Sequence, residues 1–333
     1  MTVVIPNWNG AANLSKVLRC LQAQTRAVAE IIVVDNGSTD ESIAVAEQAG
    51  ARVIRLHSNR GFAHAVNRGI REATGKWIAV LNNDVEVNPN WLAALIGEAE
   101  ARDAWFATGK LLGTSGQIDG TYDAICRGAC SWRCGAGRVD GPRWNQCRTV
   151  QFAPFTAAVF RAELFQRIGT LDEDYGSYLE DVDFGLRCAL SGHSGVYVPA
   201  ALGHHQGSAT LGRWHSESVR QIARNQVLLI AKHYPRNWIA RYGWPVLIAQ
   251  ALWGIVALRH GAGLAYVQGK LEGLRSFQPM RQASSRATPD LLHPDLLHPD
   301  LLHNVLRQSE LEIHELQHAT GFDAYWRLYF ALT

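Results

Sequence analysis

Apolar runs of strand length alternate with segments of helical period through the first third of the chain, and no other feature restricts the fold as tightly. Val3-Val4-Ile5-Pro6 reads as a strand, and Leu14, Val17, Leu18 and Leu21 then fall on one face of a helix. Ile31-Ile32-Val33-Val34 is a second strand, after which Ser38-Thr39-Asp40-Glu41 fits a capping box opening the helix that carries Ile43, Val45 and Ala46. Arg52 to Leu56 is a third. Gly61 to Ala73 reads as a helix closed by Gly75, and Trp77-Ile78-Ala79-Val80-Leu81 is a fourth strand. Strand–helix units in series fold as a parallel sheet covered by helices, so an α/β architecture is expected.

Two of these strands end in a carboxylate. Val33-Val34 runs into Asp35-Asn36-Gly37-Ser38, and Val80-Leu81 into Asn82-Asn83-Asp84. A lone Asp at such a place is most simply a turn or cap residue, because its side chain bonds nearby amides. Together they point to ligand binding, since open α/β sheets bind ligands outside the carboxyl ends of their strands.

The 333 residues, 47% of them apolar, suffice for one large domain with an appendage. A formal charge of +2 with 19% charged residues gives no basic field of the kind nucleic acid demands. Met1 leads straight into Thr2-Val3-Val4-Ile5, which does not read as a secretory leader, so a cytoplasmic location with reduced thiols is expected. Cys126, Cys130, Cys134 and Cys147 lack the C-x-x-C pairs usual for zinc and read as part of a loop-rich insertion.

Periodicity dissolves between 109 and 150, which is expected to be a variable loop region, and returns at Phe152 to Phe160. Glu180-Asp181-Val182-Asp183 reads as a helix start with acids in the first turn. Residues 1–235 are thus expected to form the main domain. An apolar helical segment follows over 236–280. Its core, Trp238 to Leu258, is interrupted by Arg241, Pro245 and Gln250 and is too short to span a membrane, which leaves open an interfacial helix or one packed on the main domain. Pro289-Asp290-Leu291-Leu292-His293 then repeats three times in tandem and reads as a linker over 281–304. The tail, 305–333, is amphipathic and helical, with an aromatic face that wants a partner in this chain or, through an oligomer, in another.

A series of short motifs resembles the family 2 glycosyltransferases. These are Val4-Ile5-Pro6 with Asn9, Val33 to Asp40, Asn59 to Ala63, Asn67-Arg68-Gly69, Asn82-Asn83-Asp84, Glu180 to Asp183 with Arg187, and His204 to Ser208. They run in the family's order from the start to about Tyr234, and within the family the spacing is most similar to bacterial rhamnosyltransferase-like enzymes of surface polysaccharide synthesis. The resemblance implies a GT-A fold, a Rossmann-like mixed sheet flanked by helices, here with a helical C-terminal extension.

It also implies an inverting, metal-dependent transfer of a sugar from a UDP-, dTDP- or GDP-sugar to a saccharide or lipid-linked acceptor; peripheral contact at the inner face of the plasma membrane is expected separately, from the interfacial reading of the 236–280 segment. Donor binding would fall to Pro6, Asn9, Asp35, Asn36, Ser38, Arg60, Gly61, Asn67, Asn82 and Asn83, with Asp35 accepting from the base. Magnesium or manganese would be held by Asp84, where the family's Asp-x-Asp motif ends, and by the His204-His205 pair, with His205 favoured. Asn82 stands in place of the motif's first Asp. Asp181, beside Glu180, would take the acceptor's proton, while Asp183 and Arg187 would pair to hold the helix. A GT-A-like scaffold without turnover is the rival reading. A nucleotidyltransferase or a dehydrogenase is disfavoured because Pro6-Asn7-Trp8-Asn9-Gly10 is not a glycine-rich phosphate loop.

Overall fold

The computed structural model describes residues 1–206, 214–287 and 300–333, the side chains of 284–287 excepted. Strands β1 (Thr2–Asn7), β2 (Glu30–Asp35), β3 (Arg52–Arg55) and β4 (Trp77–Leu81) lie parallel in the order β4-β1-β2-β3. Their crossovers are α1 (Ala11–Gln22), α2 (Ser42–Gln48) and α3 (Phe62–Glu72). All five residues of β4 are buried, which is why it reads as an unbroken apolar run with no alternation. Leu14, Val17, Leu18 and Leu21 of α1 pack in the same core as Trp91, Leu92, Leu95 and Ile96 of α4 (Trp91–Ala101). Each such side chain contributes about 1.5–3 kcal/mol when fully buried.

Beyond β4 the sheet becomes mixed. The antiparallel β11 (Ala157–Arg161), which leads into α5 (Ala162–Ile168), joins β4 to β6 (Phe106–Leu112), and β6 pairs parallel with β12 (Gly195–His205). At the far edge is β10 (Arg148–Val150), while β5 (Val85–Val87) pairs β12 and β7 (Ile118–Gly120) pairs β6. Residues 109–150, expected as loop, thus carry β7, β10 and a separate pair, β8 (Asp123–Ile125) with β9 (Ser131–Arg133). Strands of three residues are too short to leave a period in sequence, so the pattern looked irregular.

Contacts divide the chain into two compact units, one of residues 1–123, 135–188 and 193–209, the other of 124–134, 189–192 and 210–333. The boundary expected at 235 therefore falls earlier. Helix α7 (Ser216–His233) belongs to the second unit, where it packs on α9 (Gly263–Ala287). A Cβ at Gly269 of α9 would stand 2.1 Å from the Arg220 carbonyl of α7, so the missing side chain is what permits that close approach.

The apolar segment forms α8 (Trp238–Arg259) and leads into α9; among the described residues no helix is long and apolar enough to cross a membrane. The expected linker is shorter than 281–304, because α9 runs to Ala287 and the last Leu-Leu-His opens α10 (Leu301–Thr320). Most of the tandem repeat lies outside the described residues. The aromatic tail, α11 (Ala324–Leu332), finds its partner in this chain: Tyr329 Oη donates to Glu310 Oε1 at 2.5 Å, Tyr325 Oη to the Ala249 carbonyl at 3.1 Å, and Trp326 is buried.

One helix start departs from expectation. α2 begins at Ser42 with Glu41 at its N-cap, and the carboxylate of Asp40, one residue earlier, accepts from the Ser42 amide at 3.1 Å and the Ala11 amide at 3.0 Å. The capping box expected over Ser38 to Glu41 does not form, since Ser38 is used elsewhere.

Candidate active site

Parallel strands of one sheet bring their carboxyl ends to one edge, and in the first unit that edge is where β1, β2 and β4 each release a polar residue. Asn7 joins them. Its Nδ2 donates to Asp35 Oδ1 at 3.5 Å and Ser38 Oγ at 3.4 Å, while its Oδ1 accepts from Asn83 Nδ2 at 2.7 Å. Gly10 makes room for that pair, for a Cβ there would lie 2.2 Å from Asn83 Nδ2. Ser38 Oγ accepts the Asn9 amide at 2.9 Å and Asn9 Oδ1 accepts the Thr39 amide at 2.8 Å, so the loops after β1 and β2 fix each other. Asp35 is 2% exposed and also accepts the Ser38 amide at 3.0 Å. Its turn-forming role is therefore real, and lone pairs left over on the carboxylate are what a ligand could use. Pro6, half-buried in β1, precedes this junction.

Asn36 extends the edge. Its Oδ1 accepts the Arg60 amide at 2.9 Å and its Nδ2 donates to the Gly61 carbonyl at 3.2 Å, with the Arg60 side chain exposed. Gly61 has φ +89° and a Cβ position 3.1 Å from the Gly176 carbonyl, so only glycine fits without strain. The Ala63 amide donates to that same carbonyl at 2.9 Å. These bonds dock the 176–179 loop, which leads into α6 (Glu180–Leu190), beside the strand edge. In that loop Tyr178 and Leu179 hold φ of 70° and 67°, a conformation costing about 1–3 kcal/mol each and concentrated at functional sites. Asp181 is half-buried and Glu180 buried, so Asp181 is the more accessible of the two. Arg187 Nε donates to Asp183 Oδ2 at 3.0 Å and its Nη atoms to the Ile168 and Thr170 carbonyls, which ties α6 to the preceding turn.

Asn67 does different work from that expected. It is 1% exposed, donates to the Leu171 carbonyl at 2.8 Å and Glu173 Oε1 at 3.0 Å, and accepts the Leu171 amide at 3.0 Å. Its amide is spent joining α3 to the 171–173 turn, which leaves it a brace rather than a donor ligand.

On the other side of Asn83, the β5–β12 ladder sets His205 opposite Val85, and the Gln206 amide donates to the Asp84 carbonyl at 3.1 Å. Alternation along β12 turns His204 outward, where it is exposed, and His205 inward. His205 Nε2 then stands 3.3 Å from Asp84 Oδ1, and its Nδ1 is 2.7 Å from Asp119 Oδ2 on β7. Burial opposes a charged imidazole here, but hydrogen bonds to Asp119 and Asp84 and their charges outweigh it, raising the His205 pKa to about 9.

A divalent cation suits these residues. Two ligand atoms 3.3 Å apart match adjacent positions around one ion with bonds of about 2.1 Å. Asn82 Oδ1, two residues before Asp84 in the chain, is buried and accepts no hydrogen bond from the described residues. Among the described residues no group of three or more His, Cys, Asp and Glu is arranged to hold a metal ion. Gly207 and Ser208 of the same motif lie outside the described residues.

Sequence reasoning passed over Asn7 and Asp119. The polar end of β1 was a usable signal for Asn7. Asp119 gave none, because only the β6–β7 hairpin carries it to His205.

The profile of glycosyl transferase family 2 matches residues 2–169, and that of glycosyl transferase family group 2 matches residues 140–267. The chain belongs to glycosyl transferase family 2. Among relatives of this family 2 member, the N-acetylglucosaminyl-diphospho-decaprenol L-rhamnosyltransferase of Mycobacterium tuberculosis is 27% identical over 281 residues, 76% of this chain and 91% of the relative. The PGL/p-HBAD biosynthesis glycosyltransferase of Mycobacterium bovis is 31% identical over 56% of this chain and 68% of its own.

Two solved structures share the fold. GalNAc-T7 with UDP, GalNAc and Mn2+ has a TM-score of 0.58 at 15% identity, covering 86% of this chain and 57% of that one. The mannosyltransferase PcManGT of Pyrobaculum calidifontis, with GDP-Man and Mn2+, has a TM-score of 0.51 at 17% identity, covering 99% and 85%. The mixed sheet and its flanking helices are thus those of the GT-A fold, here with a helical C-terminal region.

Proposed function

We propose that this glycosyltransferase works by inversion and with a divalent metal, Mg2+ or Mn2+, moving a sugar from a nucleoside diphosphate to a saccharide or lipid-linked acceptor in surface polysaccharide synthesis. The observation that carries the proposal is the Asp84–His205 pair, backed by Asp119, at the carboxyl edge of the sheet. A bound cation supplies charge neutralisation for the departing diphosphate. Asp84 and His205 would hold it.

The remaining work belongs to the chain. Asp35, Asn36, Ser38 and the Asn9 turn form a rigid wall for the nucleoside, and Arg60, exposed beside Gly61, can reach a phosphate. Asp181 accepts the acceptor hydroxyl's proton as that oxygen attacks the anomeric carbon. One base and direct attack give inversion, with no covalent intermediate. The Mn2+ in both structural neighbours supports the metal, and the name of the mycobacterial relative supports rhamnosyl transfer to a diphospho-polyprenol-linked sugar. A lipid-linked acceptor would bring the enzyme to a membrane surface.

The test is a panel of UDP-, GDP- and dTDP-sugars assayed for thermal stabilisation with and without Mn2+, followed by transfer assays with the donor that stabilises. Metal-dependent stabilisation by one donor, and transfer lost in Asp181→Asn, is the expected result. Transfer that continues unchanged in chelator would defeat the metal assignment, and transfer that survives Asp181→Asn would defeat the base.

A further inference from the structure

In the second unit, α8 and α9 pack together through the Trp253 and Tyr266 rings, 5.7 Å apart, and through the Tyr266 hydroxyl, which donates to the Gln250 carbonyl at 2.7 Å. Their inward sides are filled by Tyr242, Pro245, Ala249 and Ala257 of α8 and by Ala265 and Met280 of α9. The outward sides are also apolar. On α8, Trp244, Leu247, Ile255 and Leu258 follow one another at helical spacing and are 57–71% exposed. On α9, Leu264, Leu271 and Leu274 do the same at 49–74%. The stripes meet at the turn between the helices, where the Cβ direction of Gly263 runs into Leu258 at 2.9 Å.

Charge decides what covers this face. From Trp238 to Leu271 there is no Asp or Glu, whereas Arg241, Arg259 and Lys270 occur, and Arg275 follows. Glu272, the first acid, is taken up by Arg220 at 2.5 Å, and Arg241 is paired with Asp300. Arg259 and Arg275 remain exposed next to Leu258 and Leu274. A second copy of the chain is a poor occupant, because a two-fold contact would oppose like charges with no acid between them. An anionic lipid surface is complementary in both respects, and helices too short or too polar to span can lie in its plane.

We propose that the outward face of α8 and α9 docks this protein in the plane of an anionic membrane, with its leucines, Ile255 and Trp244 in the acyl boundary and Arg259 and Arg275 at the headgroups. Such a contact goes beyond the transfer reaction and holds whether the acceptor is lipid-linked or water-soluble.

The test is sedimentation of the full chain, without donor or acceptor, with phosphatidylcholine vesicles containing or lacking about 30% phosphatidylglycerol. Binding to the anionic vesicles only, weakened at least tenfold in Ile255→Asp/Leu264→Asp and in Arg259→Glu/Arg275→Glu, is expected. Both double variants change exposed side chains, and unchanged transfer activity would show that they are folded. Acyl-chain-brominated phosphatidylglycerol should quench part of the tryptophan fluorescence, and Trp244→Phe should remove that part. Wild-type protein left in the supernatant, or variants that bind as well as wild type, would overturn the proposal. So would a dimer in solution that Ile255→Asp/Leu264→Asp converts to monomer with no vesicle binding by either.

Discussion

Asp119→Asn tests the metal assignment most sharply, because Asp119 bonds the His205 ring nitrogen that faces away from Asp84. In the wild type, the 2.7 Å bond from His205 Nδ1 to Asp119 fixes the ring and leaves Nε2 facing Asp84. Outer partners of this kind raise the basicity of the ligating nitrogen, and their loss costs about 10–100-fold in metal affinity. The same carboxylate helps hold a proton on the ring, with a pKa of about 9, so a cation must displace that proton at neutral pH. At pH 7 the proton has an advantage of two pH units, or about 100-fold, and wild-type affinity should climb roughly tenfold per unit until it levels near pH 9.

Replacing Asp119 by Asn removes the charge and lowers that pKa. The variant should therefore show a shallower climb, with its deficit small at pH 7 and widening to about 10–100-fold at pH 9. Titration of Mn2+ followed by the paramagnetic resonance signal of the free ion, at several pH values, measures this directly. Parallel profiles for the two proteins, or equal affinity at the alkaline end, would refute the reasoning.

Asp84→Ala should abolish metal-dependent stabilisation by donor, whereas Asp181→Asn should leave it nearly intact while transfer falls by about 100-fold or more, as read by calorimetry beside initial rates. Equal effects of both on donor affinity would mean the roles are misassigned. In metal-free protein His205 has a folded pKa above its unfolded one, so its stabilisation is complete below about pH 6.5 and is lost as pH rises through about 9. Melting temperature should fall over that window and fall less in Asp119→Asn; a flat profile in the wild type would contradict the ion triad. Gly61→Ala, at φ +89° and pressed on Gly176, should cost about 1–3 kcal/mol by denaturant unfolding and weaken donor binding. An unchanged midpoint would show that the loop yields without strain.

The parallel half of the sheet was legible because its central strands β1 and β4 are buried on both faces and α1 carries an apolar stripe, as in Trp77–Leu81 and the Leu14 to Leu21 face. The antiparallel half was not. β7 and β10 are three residues long, and their burial comes from neighbours distant in sequence. Asn67 shows the opposite failure: its motif suggested a ligand, yet the turn at Leu171 and Glu173, about a hundred residues on, consumes its hydrogen bonds. The first amide of α2 is held by Asp40 and not by Ser38 for a similar reason, since Ser38 is held by Asn7 and Asn9.

By itself, the sequence determined the α/β class, the carboxylates at the strand ends and the family, because these follow from local period and from short runs of residues. Only the tertiary structure decided that His205 and not His204 meets Asp84, that Asp119 stands behind it, and that apolar residues of both α8 and α9 stay exposed. Those are pairings across the sheet and between helices, and a ladder register or a packing choice fixes them at no cost visible in any single segment.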